Sequence, residues 1–243
     1  MKRIYLNSLP DPLFQQLAKH SQLRVISPTP QAARALRVPN QSLEALAQQS
    51  LLKQNLRSAP VLIAHRALRA AVAKVIQTLD IDGTTRTLTP ALKAILRAGI
   101  DLDALEAVGS SRTQQLARLA RAYQANIRAN KFVDSAEVLW QAAKLKPSSL
   151  SILVYGYFNP RMDELAFLNA IGGNGSVMIL PCPNHTIFAD IQAAVGWLQQ
   201  QGWQIETSDQ FIPTFSQLQT CFMSGSAVPS DVQSHIYTHT EDG

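Results

Sequence analysis

The hydrophobic pattern changes its period twice along the 243 residues. Arg3–Leu6 and Leu23–Ile26 are short β-prone runs. Between them lie the turn chemistry of Asn7–Pro12 and an amphipathic stretch, Leu13–Lys19, that predicts a helix. Ser27-Pro-Thr-Pro closes the second run, and Gln31–Leu36 predicts a helix with Thr29 as N-cap and Pro30 at its first position. From Ser42 to Lys146 the apolar residues recur at helical spacing. Ser42-Leu-Glu-Ala-Leu-Ala opens one helix; Pro60 precedes a second, with Leu62, Leu68, Val72, Val75, Ile76 and Leu79 as its apolar set. Thr89-Pro90 predicts the start of a third, ended by Gly99. Ser111–Asn130 repeats Leu116, Leu119, Tyr123 and Ile127 on one face, and Asp134–Lys144 is the last helix before Pro147. The spacing predicts an all-helical insertion, 41–147, of about five helices.

After Pro147 the pattern becomes α/β. Ser151–Phe158 and Ser176–Leu180 are continuous apolar runs of strand length, as buried parallel strands require. Pro160–Ile171 and Ala189–Gln201 predict helices, and Trp203–Glu206 a short strand. Gly172-Gly-Asn-Gly follows a helix, so it reads as a helix stop, whereas a phosphate loop follows a strand. Phe211–Gly243 is loop-like, with a short helix expected at 215–221 and a strand at 234–238. Alternating strands and helices predict a right-handed parallel sheet that the two N-terminal strands join. The fold class is therefore α/β, with a core of 1–40 plus 148–243. The terminal Thr-Glu-Asp-Gly reads as a helix start, the expectation for a fragment of a longer chain.

With 46% hydrophobic residues and a net charge of +5, composition excludes intrinsic disorder. No window approaches the roughly 18 apolar residues of a membrane span, and the apolar run after Met1 is too short for a signal peptide. A cytoplasmic protein without a membrane partner is the expectation. Two cysteines, Cys182 and Cys221, exclude a disulfide framework. The net charge conceals an asymmetry. Through Ser149 there are 21 basic against nine acidic residues, a net of +12. From Leu150 onward Arg161 stands alone against eight acids, a net of −7. A polyanion-facing part and two solvated surfaces of opposite sign account for this equally well.

Five strings resemble, in order, motifs of the first motor domain of superfamily 1 DNA helicases. Val25-Ile-Ser-Pro-Thr-Pro-Gln-Ala-Ala-Arg-Ala-Leu is similar to motif Ia, a strand ending in Thr-x-x-Ala-Ala-x-x-Leu that touches the DNA backbone. Ser42-Leu-Glu-Ala-Leu-Ala resembles the helix that follows it, and Val133-Asp-Ser-Ala-Glu-Val-Leu the helix before motif II. Leu153-Val-Tyr-Gly-Tyr-Phe-Asn-Pro stands at the motif II position and Leu180-Pro-Cys-Pro-Asn-His-Thr-Ile-Phe at motif III. The resemblance implies a P-loop-NTPase-like (RecA-like) parallel sheet with a large helical insertion. Its ATPase chemistry is missing. Between Tyr5 and Ala18 there is neither glycine nor lysine, and two prolines remove N–H donors where a P-loop needs them. Tyr155 and Gly156 replace the Mg²⁺-binding and water-activating acids, Asn159 ends the same string, and His185 aligns with the γ-phosphate-sensing glutamine. Erased motifs with Val-x-Gly-Tyr-like chemistry resemble the N-terminal region of AddB- and RecB-like helicase–nuclease proteins of DNA repair and recombination. In that family the nuclease lies in a C-terminal domain, with an iron–sulfur cluster or metal-binding carboxylates, which this sequence lacks; AddB-type members often keep a P-loop.

The implied role is an inactive scaffold and single-strand DNA channel wall, with no cofactor. Its partners would be single-stranded or end DNA bound without sequence preference, the remainder of a longer chain and a helicase subunit. Arg112, Arg118, Arg121, Arg128 and Lys131 form a basic stripe suited to phosphates, or a solvated face whose stems cover apolar surface. Arg66, Arg69 and Lys74 make a weaker version. Thr29 and Arg34 hold the motif Ia positions, though capping also explains Thr29. Asp134 and Glu137 read as a helix cap and a dipole partner more readily than as metal ligands. Cys182 with His185 lacks a second ligand pair, and His235 with His239 reads as a surface strand. Tyr155, Tyr157 and Phe158 serve either base stacking or packing into the space of a nucleotide. Two other readings stand: an α/β enzyme for a nucleotide or sugar ligand, and a pure protein-interaction module.

Overall fold

The computed structural model describes residues 1–6, 12–19, 23–29, 31, 34, 39, 41–145, 147–180 and 189–206. The expected turn at 7–11, most of the helix at 31–36, the 181–188 string with Cys182 and His185, and everything expected after 206 lie outside the described residues. The chain is mixed α/β and divides into two compact units. Among the described residues no helix is long and apolar enough to cross a membrane.

The first unit comprises Met1–Pro39, Ser151–Asn159 and Gly173–Gly243. Among the described residues its strands are β1 (Lys2–Leu6), β2 (Arg24–Ile26), β5 (Ile152–Val154), β6 (Val177–Leu180) and β7 (Trp203–Glu206), all parallel in the order β2-β5-β6-β1-β7. The register is set by Arg24↔Ile152, Leu153↔Val177, Arg3↔Val177 and Lys2↔Trp203. β5 and β6 are buried at every position, which is why they read as unbroken apolar runs. Helix α1 (Pro12–Ala18) lays Phe14 against Tyr5, Val25, Leu153, Tyr155, Val177 and Ile179, which form one layer of the core. Helix α9 (Ala189–Gln200) leads into β7 through Gly202 at φ 85°, a left-handed position that glycine adopts without strain. The Gly172-Gly-Asn-Gly turn sits at the amino ends of the strands. There Asn174 Oδ1 accepts from the Met1 ammonium at 3.0 Å, and the Asn174 carbonyl accepts from the Ser151 hydroxyl at 3.0 Å. Ligands of open α/β sheets bind at the opposite, carboxyl ends, so this turn is structural.

The second unit comprises Asn40–Leu150 and Pro160–Gly172. It holds α2 (Leu43–Leu52), α3 (Val61–Val75), α4 (Ile81–Ala98), α5 (Leu102–Ala107), α6 (Ser111–Ala129), α7 (Val138–Lys144) and α8 (Met162–Ile171). Its core joins Leu68, Ala71 and Val72 of α3, Leu92 and Leu96 of α4, and Leu119, Tyr123 and Ile127 of α6. Helix α8, which links β5 to β6 in the chain, packs on α7, α2 and α4 within this unit.

Several expectations need correction. The insertion is not all-helical: β3 (Arg57–Ser58) and β4 (Phe132–Val133) form a parallel ladder, too short to have a period of its own. Six helices, not about five, lie between Asn40 and Leu150 among the described residues. Pro90 does not start a helix; it lies inside α4, which begins nine residues earlier because Asp80 Oδ1 accepts from the Gly83 N–H at 2.8 Å. The Thr85, Thr87 and Thr89 hydroxyls donate to the carbonyls four residues back, at 2.7, 3.0 and 2.7 Å, in the stretch that Pro90 deprives of a backbone donor. Leu62 and Leu79 are exposed, since α3 ends at Val75 and the face that packs is Leu68, Ala71 and Val72. The strand expected at Ser151–Phe158 shrinks to Ile152–Val154, because the chain turns at Gly156, φ 86°. The expected helix from Asp134 begins only at Val138, and the residues before it form a turn.

Gly99 ends α4 at φ 65°, and a Cβ there would lie 2.6 Å from Trp140 Cε2. Trp140 in turn donates through Nε1 to the Arg97 carbonyl at 2.8 Å, covering an end-of-helix acceptor. Gly99→Ala is expected to cost about 1–2 kcal/mol for the left-handed backbone alone, and more as Trp140 is displaced. Denaturant unfolding followed by tryptophan fluorescence checks this; an unchanged midpoint contradicts it.

Candidate functional site

The carboxyl ends of the sheet strands are where an α/β protein does its chemistry. At the end of β5 the side chain is Tyr155, 6% exposed, and its ring stacks on Phe14 of α1 with centroids 4.3 Å apart at a 33° tilt. Tyr155 N–H donates to the Ile26 carbonyl at 3.1 Å, extending the β2–β5 pairing by one residue. Gly156 follows in a left-handed turn where a Cβ would touch Pro28 at 3.4 Å, so the loops after β2 and β5 lie against each other. Ser27 is buried there, its hydroxyl donating to the Thr29 carbonyl at 3.2 Å. Tyr157 is buried as well, which closes both tyrosines to base stacking; Phe158 alone of the three aromatics is exposed. Asn159 lies at the surface, its amide 3.5 Å from Asp190. His185 lies outside the described residues. Nothing in the sequence pointed to Phe14 as the partner of Tyr155, because the contact joins distant parts of the chain.

The basic residues have a different arrangement from a free stripe. Arg121 of α6 is paired with both Glu106 and Asp103 of α5, and Arg118 with Glu106 at 3.3 Å. These two guanidiniums hold the Glu106 carboxyl below its usual range. Arg128 meets Glu137, just before α7, at 3.3 Å, and Arg69 of α3 meets Asp82 of α4 at 2.7 Å. The Arg121, Arg118 and Arg69 pairs each tie one helix to another, and Arg128 ties α6 to the turn before α7. Arg66 and Arg112 are exposed and make no ion pair among the described residues. Lys131 is exposed and lies past the end of α6, at φ 59°, so it does not extend the helical stripe. Thr29 is exposed in the bend after β2, and Arg34 is helical and exposed. Thr29 and Arg34 belong to the first unit, and the other basic candidates to the second.

Regrouping by contact also changes the charge picture. The helical unit holds sixteen basic and ten acidic residues, a net of +6, and the sheet unit six basic and seven acidic, a net of −1. The basic N-terminal strands belong with the acidic C-terminal part, which moderates the linear asymmetry.

A buried polar cluster lies where the turn before α7 meets α6. Asp134, 1% exposed, accepts from the Tyr123 hydroxyl and, at 2.7 Å, from the Ala136 N–H. Burial and this carboxylate push the Tyr123 hydroxyl well above its ordinary range. Glu137 accepts from Gln124 at 2.7 Å and from Gln141 and Arg128 at 3.3 Å. Burial raises the Glu137 pKa, opposed by Arg128, the two amides being further favourable partners and Asp134 an unfavourable neighbour. The two acids thus hold the turn before α7 against α6. No group of three or more potential metal ligands occurs among the described residues.

Comparison with protein-family models finds no match, and comparison with curated proteins finds none either.

A carboxyl whose folded pKa is raised stabilises the fold below its unfolded value, near 4.5, and loses that contribution as pH rises through the folded value. Wild-type stability is therefore expected to carry a declining component above about pH 4.5 that Glu137→Gln lacks, so the difference between the two narrows or reverses with rising pH. Urea midpoints across this range test the sign. Parallel pH profiles for the two proteins contradict it.

Proposed function

We propose that this chain is a helicase-like domain without ATPase chemistry, acting as a scaffold that binds single-stranded or end DNA without sequence preference. It would belong to a longer helicase–nuclease of the AddB- and RecB-like kind, working in DNA repair and recombination inside the cell. The observation that carries the reading is the sheet itself. Among the described residues, five parallel strands are interrupted after the second by a largely helical segment. The crossover from β1 leads toward the β2 edge, while that from β6 leads to β7 on the other side of β1. Oppositely directed crossovers mark β1 as a topological switch point, where open α/β sheets bind ligands and where a phosphate loop would follow. A RecA-like arrangement has its nucleotide there. In this chain the following segment has no glycine or lysine, and Tyr155 packs on Phe14 where metal-binding acids would stand.

The DNA half rests on the net charge of the helical unit, +6, and on Arg66, Arg112 and Lys131, which are exposed. Arg69, Arg118, Arg121 and Arg128 are occupied by acids. Exposed pairs of this kind are weak and can yield to phosphate. The sheet unit would pack on the remainder of the protein or on a motor subunit. A pure protein-interaction module is the second reading, and the pairing of these four arginines favours it.

Replacing Arg118, Arg121 and Arg128 would loosen the helix packing as well as any DNA contact, so the test uses the unpaired cations. Fluorescent oligothymidylate is titrated into the full chain and into the triple variant Arg66→Glu, Arg112→Glu, Lys131→Glu. Three phosphate contacts give a log K against log salt slope of about −2, and the variant is expected to bind at least tenfold more weakly (roughly, at low salt). No binding at low salt, binding indifferent to salt, or an unaffected variant overturns the DNA reading.

A further inference from the structure

A cavity of about 160 Å³ opens in the helical unit between α3, α4 and α6. Ala64, Leu68 and Leu92 line it with apolar surface, and Val61 forms a lip that is 84% exposed. Tyr123 and Asp134 contribute a polar wall whose hydroxyl and carboxylate already bond each other. Lys93 and His65 stand in the same lining. Lys93 is half-buried and has no carboxylate partner among the described residues, although it lies on α4 in a unit rich in ion pairs.

These features select a ligand. An apolar cavity of about 150 Å³ accepts one benzene ring, so this space suits a single six-membered ring or an aliphatic body of that size. An ammonium bordering an apolar pocket gains most from an anion, through a charge-assisted bond. Asp134, buried and acidic, disfavours a second negative charge beside it, so the anionic end belongs toward Lys93 and the ring among Leu68, Leu92 and Ala64. We propose that this cavity is a binding site for a small amphipathic carboxylate, with its ring in the apolar pocket and its carboxylate on Lys93. The site is independent of the DNA reading: it requires neither the sheet nor the cations Arg66, Arg112 and Lys131.

Benzoate and its neutral isostere benzyl alcohol, titrated calorimetrically into the full chain, separate the two parts of the site. Benzoate is expected to bind about tenfold more tightly than benzyl alcohol or better, as a charged hydrogen bond warrants. Lys93→Met keeps the apolar stem and removes the charge, and is expected to bring the two ligands within about twofold. Ala64→Phe fills the pocket and is expected to abolish binding of both. The proposal is overturned if the wild type binds neither ligand at millimolar concentration or does not distinguish them. Retention of the preference by Lys93→Met overturns it too, as does wild-type binding by a folded Ala64→Phe. Should Ala64→Phe fail to fold, the Lys93→Met comparison decides alone.

Discussion

The pairing of β2 with β5 is the constraint on which the rest depends. Arg24, Val25 and Ile26 lie in register with Ile152, Leu153 and Val154, although all of Asn40–Leu150 separates them in the chain. Parallel neighbours cannot be joined by a tight turn; they need a crossover, and here the crossover has grown into a folded unit of its own. Closing so long a segment costs little more entropy than closing a short one, provided that the segment is itself ordered. The helical unit meets that condition through the α3–α4–α6 core and through acids and arginines that tie α5 and α7 to α6. The same pairing brings the loops after β2 and β5 together at Gly156 and Pro28, where β5 ends in Tyr155.

That neighbourhood gives the functional reading its shape. A carboxyl end of a parallel sheet is predisposed to ligand chemistry, because backbone N–H groups and helix N-termini converge there. Here the site is occupied by the protein's own aromatic rings, Phe14 and Tyr155, each nearly inaccessible to water. Burying them contributes to the stability of the sheet and, in the function proposed, fills the space that a nucleotide would take. The charge proposed to face phosphate resides in the helical unit, where four of the six candidate arginines, Arg69, Arg118, Arg121 and Arg128, are already paired with acids. A cation engaged this way steers a polyanion less than a free one does, so Arg66, Arg112 and Lys131 carry more of the proposed contact than the stripe as a whole.

Much of this architecture was legible in the residue pattern. β5 and β6 are buried on both faces and read as unbroken apolar runs, while α6 shows Leu119, Tyr123 and Ile127 at helical spacing. What could not be read was decided by contacts between distant segments. Pro90 outweighed Asp80 as a start signal, because a proline is visible locally and a threonine side chain bonding back along the helix is not. Leu62 and Leu79 fitted the period but extended past the turns that pack. The β3–β4 ladder has two residues in each strand and so no period at all. The arginine stripe lost its independence to Asp103 and Glu106, placed opposite it by the short helix α5, which no periodicity announced. The cavity draws its walls from several elements at once, and Lys93 acquires meaning only when the helices carrying Leu68 and Tyr123 close around it.

We propose that packing, not nucleotide chemistry, occupies the carboxyl end of this sheet. The most direct measurement of that claim is the thermal unfolding of the full chain with and without Mg²⁺–ATP, from micromolar to millimolar nucleotide. The account predicts an unchanged midpoint at every concentration. A midpoint that climbs with nucleotide, as it must when a ligand at about 100 times its Kd adds roughly 2.7 kcal/mol to the folded state, would contradict it.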